Sequence, residues 1–260
     1  MIFKNKYFVY LFFFELVFAC SSNSDPAVTK HKNNTNEIEL FDSQYVLKNT
    51  IHFDSITIPQ IEIAVIKAGL VDIKTMDSTI VVDLKYSGTN NFIGIDVYED
   101  YNKCYLQPAV ALKLKRAQQL LKVKYPYYNL IVFDAVRPLK VQCKLWELIN
   151  VPNMYKSTFV SNPKTGSLHN YGAAVDVSIV DENGVELDMG TAFDFFGELA
   201  YPREEYRMIY EGKLAHKQLL NRDILRNVMR EAGFSSITTE WWHFNSCSLK
   251  EASSNYNLIE

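Results

Sequence analysis

Along this chain the hydrophobic and polar positions change period several times. From Val71 the pattern turns strand-like, and Ile80-Val81-Val82-Asp83-Leu84 is rich in β-branched residues until Ser87-Gly88-Thr89-Asn90-Asn91 breaks it. A loop is expected from there to about Leu106. Val110, Leu114, Ala117 and Leu121 then recur at helical spacing, with Lys113, Lys115, Arg116 and Lys122 on other faces, and Pro126 ends the pattern. Leu130-Ile131-Val132-Phe133 is apolar on both faces, as a central strand is, and Arg137-Pro138 closes it. Pro138 suits the first turn of a helix that continues through Val141, Leu145 and Leu148. Asn150 to Gly166 holds scattered polar residues around Pro152 and Pro163, which predicts a long surface loop beside whatever site exists. Next, Val175, Val177 and Ile179 alternate with Ala174, Asp176 and Ser178, so Asp176 takes the face opposite the three large apolar side chains. Asp181-Glu182-Asn183-Gly184 reads as a turn, Asp223 to Ala232 as a helix stopping at Gly233, and about Ser236 to Asn245 as a last strand. Helices and strands mix without a regular βαβ rhythm or a Gly-rich phosphate loop, which predicts the α+β class.

The N-terminal stretch follows a different logic. Lys4 and Lys6 precede an aromatic and aliphatic run from Tyr7 to Ala19, broken only by Glu15 and stopping at Cys20 and Ser21-Ser22-Asn23-Ser24. A spanning helix needs roughly 17–25 apolar residues, so this shorter run reads as a secretory signal over residues 1–19. Val17-Phe18-Ala19-Cys20 resembles a bacterial lipobox, which implies lipid modification of Cys20, export, and a cell-envelope location on the periplasmic side or cell surface. Ser21 to about Glu39 has almost no large apolar residue, so residues 20–40 are expected to be the lipidated Cys and a flexible tether. Residues 41–260 are left as one domain.

Composition narrows the classes further. The 260 residues are 48% hydrophobic and 22% charged, enough for a sizeable core and too apolar for a disordered chain. A formal charge of -3 provides no basic field for a phosphate backbone, so no nucleic acid is expected, and no feature predicts a protein partner. Besides Cys20 there are Cys104, Cys143 and Cys247, with no Cys-x-x-Cys. They are expected to be buried small side chains with at most one bridge, whose pairing spacing does not assign.

The chemistry concentrates in two places. His169 precedes Asp176 by seven residues, and Glu240 precedes His243 by three. Two imidazoles and one carboxylate leave a tetrahedral zinc one open position, the catalytic arrangement rather than the closed structural one. Glu240 is then free to serve as a base, since hydrolysis of an amide needs an acidified water and a group to take its proton. The dull alternatives are a packed histidine, a turn-closing aspartate and a surface salt bridge. An ideal strand also puts positions three apart on opposite faces, so Glu240 and His243 require a bulge or a strand end.

Ser167-Leu168-His169-Asn170-Tyr171-Gly172-Ala173-Ala174-Val175-Asp176 followed by Glu240-Trp241-Trp242-His243 resembles the VanX-type D-alanyl-D-alanine dipeptidases. These belong with the zinc D,D-peptidases and the hedgehog signalling domain. Asp83-Leu84-Lys85-Tyr86 with Asn91-Phe92, Phe133-Asp134-Ala135-Val136-Arg137-Pro138, and Met189-Gly190-Thr191-Ala192-Phe193-Asp194-Phe195 are similar to the same family, in order, from about Ala68 to Phe244. The resemblance implies a mainly antiparallel central sheet flanked by helices, one zinc ion per chain held by His169, Asp176 and His243, and Glu240 as general base. It also implies Arg137 as the stabiliser of the oxyanion, Asp194 as the receiver of the substrate's amino group, and Ser167 as a hydrogen-bond donor lining the substrate site. The expected substrate is a small D-amino-acid dipeptide, with a role in cell-wall peptide metabolism. Rival readings are a D,D-carboxypeptidase or endopeptidase on peptidoglycan stems, a non-catalytic zinc-containing envelope protein, and an envelope scaffold without metal. The resistance-linked dipeptidases lack a lipoprotein signal, and in that respect this chain departs from them.

Overall fold

The computed structural model describes residues 58–260. The expectations for the signal, Cys20, the tether and a domain start at residue 41 lie outside the described residues. Helix α1 (Gln60–Lys67) leads into the short strand β1 (Val71–Asp72), α2 (Ile73–Met76) and β2 (Val81–Val82). After a loop come β3 (Tyr105–Leu106), the long helix α3 (Pro108–Lys124) and β4 (Asn129–Asp134). Then follow α4 (Leu139–Leu148), α5 (Asn153–Lys156) and β5 (Ala174–Val180), and finally α6 (Glu205–Tyr210), α7 (His216–Glu231), β6 (Ser235–Ser236), β7 (His243–Asn245) and α8 (Leu249–Asn255).

The strand order β2-β4-β5-β7-β6 makes one five-stranded sheet, and β1 pairs separately with β3. The sheet is mixed rather than mainly antiparallel. β2 lies parallel to β4, while β4–β5, β5–β7 and β6–β7 are antiparallel. The parallel pair is possible because α3 lies within the connection between β2 and β4, and a parallel pair needs such a long crossover. The fold is α+β, as the mixed element order predicts.

The apolar positions read from the sequence are the ones that drive packing. α3 buries Val110, Leu114, Ala117 and Leu121 along one face and starts with proline in its first turn. Gln118 on the same face is fully buried because its carbonyl accepts the backbone N–H of Leu130 and its amide donates to Asn129 and Thr79. These bonds pin the first residues of β4 to the helix. All seven residues of β5 are buried, as befits a strand with neighbours on both edges. α4 starts one residue later than expected, with Pro138 as its cap.

Three further elements depart from their sequence pattern. α7 begins at His216 rather than near Asp223 because Asn221 and Arg222 are buried polar side chains that interrupt the apolar spacing. The expected strand from Ser236 to Asn245 is two short strands separated by bends, β6 and β7. The loop from Asn150 to Gly166 contains the single turn α5. Cys104 is buried, but Cys143 and Cys247 are only half-buried, and all three are free thiols, so no bridge forms among the described residues. Among the described residues no helix is long and apolar enough to cross a membrane.

Two backbone features secure the turn before β5 and the end of the chain. Gly172 has φ 63°, and a side chain there would meet Leu70 Cδ2 at 2.8 Å, so that turn closes only with glycine. Near the C-terminus, the N–H of Ile259 donates to Asn170 O (2.9 Å) and its carbonyl accepts from Leu139 (2.8 Å), with the Ile259 side chain buried. Gly172→Ala is expected to lower stability by about 1–3 kcal/mol, from left-handed backbone strain and the Leu70 clash. Thermal unfolding checks this, with the melting temperature falling by several degrees.

Candidate active site

The register of three strands brings the chemistry together. Asp176, early in β5, is paired across the sheet with His243, the first residue of β7, and with Asp134, the last residue of β4. A bulge at Phe133 makes the second pairing possible, because Val132 faces Val177 and Asp134 faces Asp176 with one extra residue between them. His169 sits in the 3-10 turn Leu168–Tyr171, which Gly172 reverses into β5. Glu240 precedes β7 instead of lying within it, so the conflict of three-residue spacing is resolved by a strand end.

The inner donor atoms of His169, Asp176 and His243 all lie within 4.8 Å of one another. His169 Nε2 is 3.2 Å from His243 Nδ1 and 3.5 Å from Asp176 Oδ2, and His243 Nδ1 is 2.9 Å from Asp176 Oδ1. Bonds of about 2.0–2.1 Å to a tetrahedral ion separate its donors by about 3.3–3.4 Å, and the separations here, in which the two imidazoles meet different oxygens of the Asp176 carboxylate, are close to that spacing. The outer ring nitrogens are also provided for. His169 Nδ1 lies 2.6 Å from the Ala135 carbonyl and His243 Nε2 lies 2.7 Å from Asn245 Oδ1. With both outer nitrogens donating to these oxygens, each inner nitrogen has a lone pair for a cation. The residues therefore fit a divalent metal held by two nitrogens and one carboxylate oxygen.

The electrostatics agree with that donor set. Burial alone would raise the Asp176 carboxyl, but the charge and hydrogen bond of His169, and then those of His243, hold it well below the usual range. Burial would lower the His243 imidazole, yet its hydrogen bond to Asp176 and that carboxylate's charge push it up to about 9, so a cation that takes Nδ1 displaces the proton shared with Asp176. Asp176 thus demands a positive partner in a buried place.

The other four candidates line the same cavity of about 320 Å³. Glu240 Oε2 stands 3.9 Å from His243 Nδ1, and burial against the cavity wall raises its carboxyl. Arg137 is buried, with Nε donating to Asp134 Oδ2 at 2.9 Å and Nη2 bonded to the same oxygen, while Nη2 lies 3.9 Å from Asp176 Oδ2. Its Nη1 makes no hydrogen bond among the described residues. Asp194 has φ 57° and accepts from the Tyr86 hydroxyl at 2.8 Å; burial holds its carboxyl well above the usual range. Ser167 also lines the cavity, but its hydroxyl donates to Gln142 Oε1 at 3.0 Å, which leaves its oxygen to act as an acceptor. Every described residue singled out from the sequence as a site candidate is therefore in this one cavity. Cys20 is outside the described residues.

The sequence pattern did not reveal several supports. Asn245 shares His243's face because residues two apart on a strand point the same way, and that period was the available signal. Tyr86 donates to Asp194 and stacks beneath the Arg137 guanidinium at 5.1 Å. Asp134 takes Arg137 on Oδ2 and the Tyr98 hydroxyl on Oδ1 at 2.6 Å. Gln142 ties Ser167 to Asn170, the neighbour of His169.

A sequence model of the family described as D-ala-D-ala dipeptidase, peptidase M15, matches residues 66–257. The chain is 29% identical over 175 residues to the D-alanyl-D-alanine dipeptidase of Escherichia coli (strain K12), covering 67% of this chain and 83% of that protein. It is 29% identical over 178 residues to the D-alanyl-D-alanine dipeptidase of Enterococcus faecalis (strain V583), covering 62% and 83%. A dipeptidase of the same name from Synechocystis is 25% identical over 188 residues, covering 59% and 73%. The match runs from the end of α1 to just past α8 and takes in every polar group of the cavity, so the chain belongs to the peptidase M15 family of D-ala-D-ala dipeptidases.

Proposed function

We propose that this protein is a zinc peptidase that hydrolyses D-alanyl-D-alanine or a closely related dipeptide, releasing D-amino acids from cell-wall peptide metabolism. The carrying observation is the convergence of the two imidazoles and the Asp176 carboxylate, whose donor atoms lie within 4.8 Å of one another, with Glu240 and Arg137 in one cavity. His169, Asp176 and His243 would hold the zinc, which when bound supplies Lewis acidity to the scissile carbonyl and to the attacking water. Glu240 takes the proton of that water and passes it to the leaving amine, a task suited to a carboxyl whose basicity burial has raised. Arg137, fixed by Asp134 on one side of its fork, donates from the other side to the oxyanion as charge develops. Asp194 receives the substrate's free ammonium group and Ser167 accepts a hydrogen bond from the bound peptide.

We further propose that the chain is exported and anchored through a lipid on Cys20, with residues 41–260 as the enzyme domain. Support comes from Lys4 and Lys6, the apolar run to Ala19 and the lipobox-like Val17-Phe18-Ala19-Cys20. Metabolic labelling with a radioactive fatty acid is expected to mark the wild-type chain and not Cys20→Ala. Equal labelling of both overturns the anchor.

The activity is tested on the full-length protein with D-Ala-D-Ala, in the presence of zinc and after chelation. Zinc-dependent release of D-alanine is the expected result. Glu240→Gln is expected to bind one metal ion as the wild type does and to lose about 10²–10⁴-fold in kcat. Asp176→Ala is expected to lose metal, measured by elemental analysis of the purified protein. Turnover only of amino-blocked or longer stem peptides would instead indicate a D,D-carboxypeptidase, and metal binding without turnover of any peptide would indicate a binding protein.

A further inference from the structure

Asp194 stands in a left-handed backbone conformation that costs a non-glycine residue energy, in a segment without regular structure, so its place depends on what grips that segment. The grip comes from one face of α7. Gln218 Nε2 donates to Asp188 Oδ2 at 2.9 Å, and Asn221 Nδ2 donates to the Asp188 carbonyl at 2.8 Å. Arg222, one residue on and on the same face, donates from Nε to the Met189 carbonyl at 2.7 Å and from Nη2 to the Leu199 carbonyl at 3.0 Å. One guanidinium therefore holds both ends of the segment that carries Asp194.

Arg222 reaches further than these two carbonyls. Its Nη1 donates to Glu205 Oε1 at 3.2 Å, a carboxylate that Arg226 Nη2 also grips at 2.7 and 2.8 Å. Its carbon centre lies 5.9 Å from the ring of Trp241, the neighbour of Glu240, and the Trp241 Nε1 donates to Thr191 Oγ1 at 2.8 Å. Arg222 is 1% exposed, and burial draws its basicity down against the pull of Glu205. Burying a charge in this way is costly, and an apolar side chain of similar volume often packs at least as stably. A charge retained at the join of three segments points to placement rather than packing.

We propose that Arg222 is a positioning residue for the amino-terminal subsite, holding Asp194 at a set distance from Glu240 and thereby fixing the preference for a free dipeptide. This rests on the reading of Asp194 as the receiver of the substrate's ammonium. The fork of the arginine is decisive, because three carbonyl and carboxylate acceptors lie around one plane. Lysine keeps the charge but offers a single point of attachment.

The test compares wild type, Arg222→Lys, Asp194→Asn and the double variant of the full-length protein. The substrates are D-Ala-D-Ala and its N-acetylated form, and amide hydrogen exchange is followed over residues 190–198. Arg222→Lys is expected to raise KM for the free dipeptide about tenfold with kcat within about threefold of wild type, and to leave metal content unchanged. Its amides at 190–198 are expected to exchange faster, and in the Asp194→Asn background the same change is expected to add less than about twofold to KM. A normal KM in Asp194→Asn overturns the reading of Asp194 itself. A raised KM there, together with a normal KM or normal exchange in Arg222→Lys, overturns the role given to Arg222 alone, as does a full additional rise in the double variant. If Arg222→Lys does not fold, Asn221→Ala decides the matter, since it frees the Asp188 carbonyl without stranding a charge. A KM raised about threefold with faster exchange at 190–198 then supports the proposal, and wild-type behaviour overturns it.

Discussion

A row of paired positions across three strands, Asp134 on β4, Asp176 on β5 and His243 on β7, is the constraint on which the site rests. Strand side chains alternate faces, so a slip of one residue in either ladder would turn Asp176 away from one of its neighbours. Like charges directly opposite each other weaken a sheet, and Asp134 and Asp176 are such a pair. The arrangement holds because a fixed guanidinium charge and ring nitrogens surround them. Arg137 bonds Asp134 and approaches Asp176, and the two imidazoles take the remaining side of Asp176. The sheet therefore depends on the charges of the site as much as the site depends on the sheet.

That mutual dependence explains the density of supporting bonds around groups that do no chemistry themselves. His169 is fixed at its outer nitrogen by Ala135, and through its backbone carbonyl it accepts from Arg137, so metal-site and oxyanion-site segments share a hydrogen bond. Asn170 donates both to the Arg137 carbonyl and to Gln142. Displacing any one of these segments would move its neighbour. Rigid support of this kind is what catalysis by fixed charges requires, since dipoles that must reorganise during reaction lose their advantage.

Much of this was legible in the sequence, for definable reasons. The periodicity of Val110 to Leu121 marked α3, and the alternation around Asp176 gave both a strand and a face, because in each case one apolar side had to be buried. The metal set was legible as residue types, and the ordered motifs raised it from one option to the expected one. What stayed hidden was set by long-range pairing. β2 is a two-residue ladder whose parallel partner comes after the whole of α3, and no local pattern records that. The early turns of α7 were hidden because buried Asn221 and Arg222 look like solvent-facing positions until their carbonyl partners are known. Tyr86 reads as one aromatic among many, and only the fold brings its hydroxyl to Asp194.

The backbone of Ile259 joins Asn170 to Leu139, one beside His169 and the other two residues past Arg137. Removing that residue would free the start of α4 and the turn beside His169 together, while the direct bonds linking Asn170 and His169 to Arg137 remain. A buried residue that lines none of the cavity therefore braces two of its walls at once, so damage to this short stretch is felt at the site without any change in the groups that face the substrate.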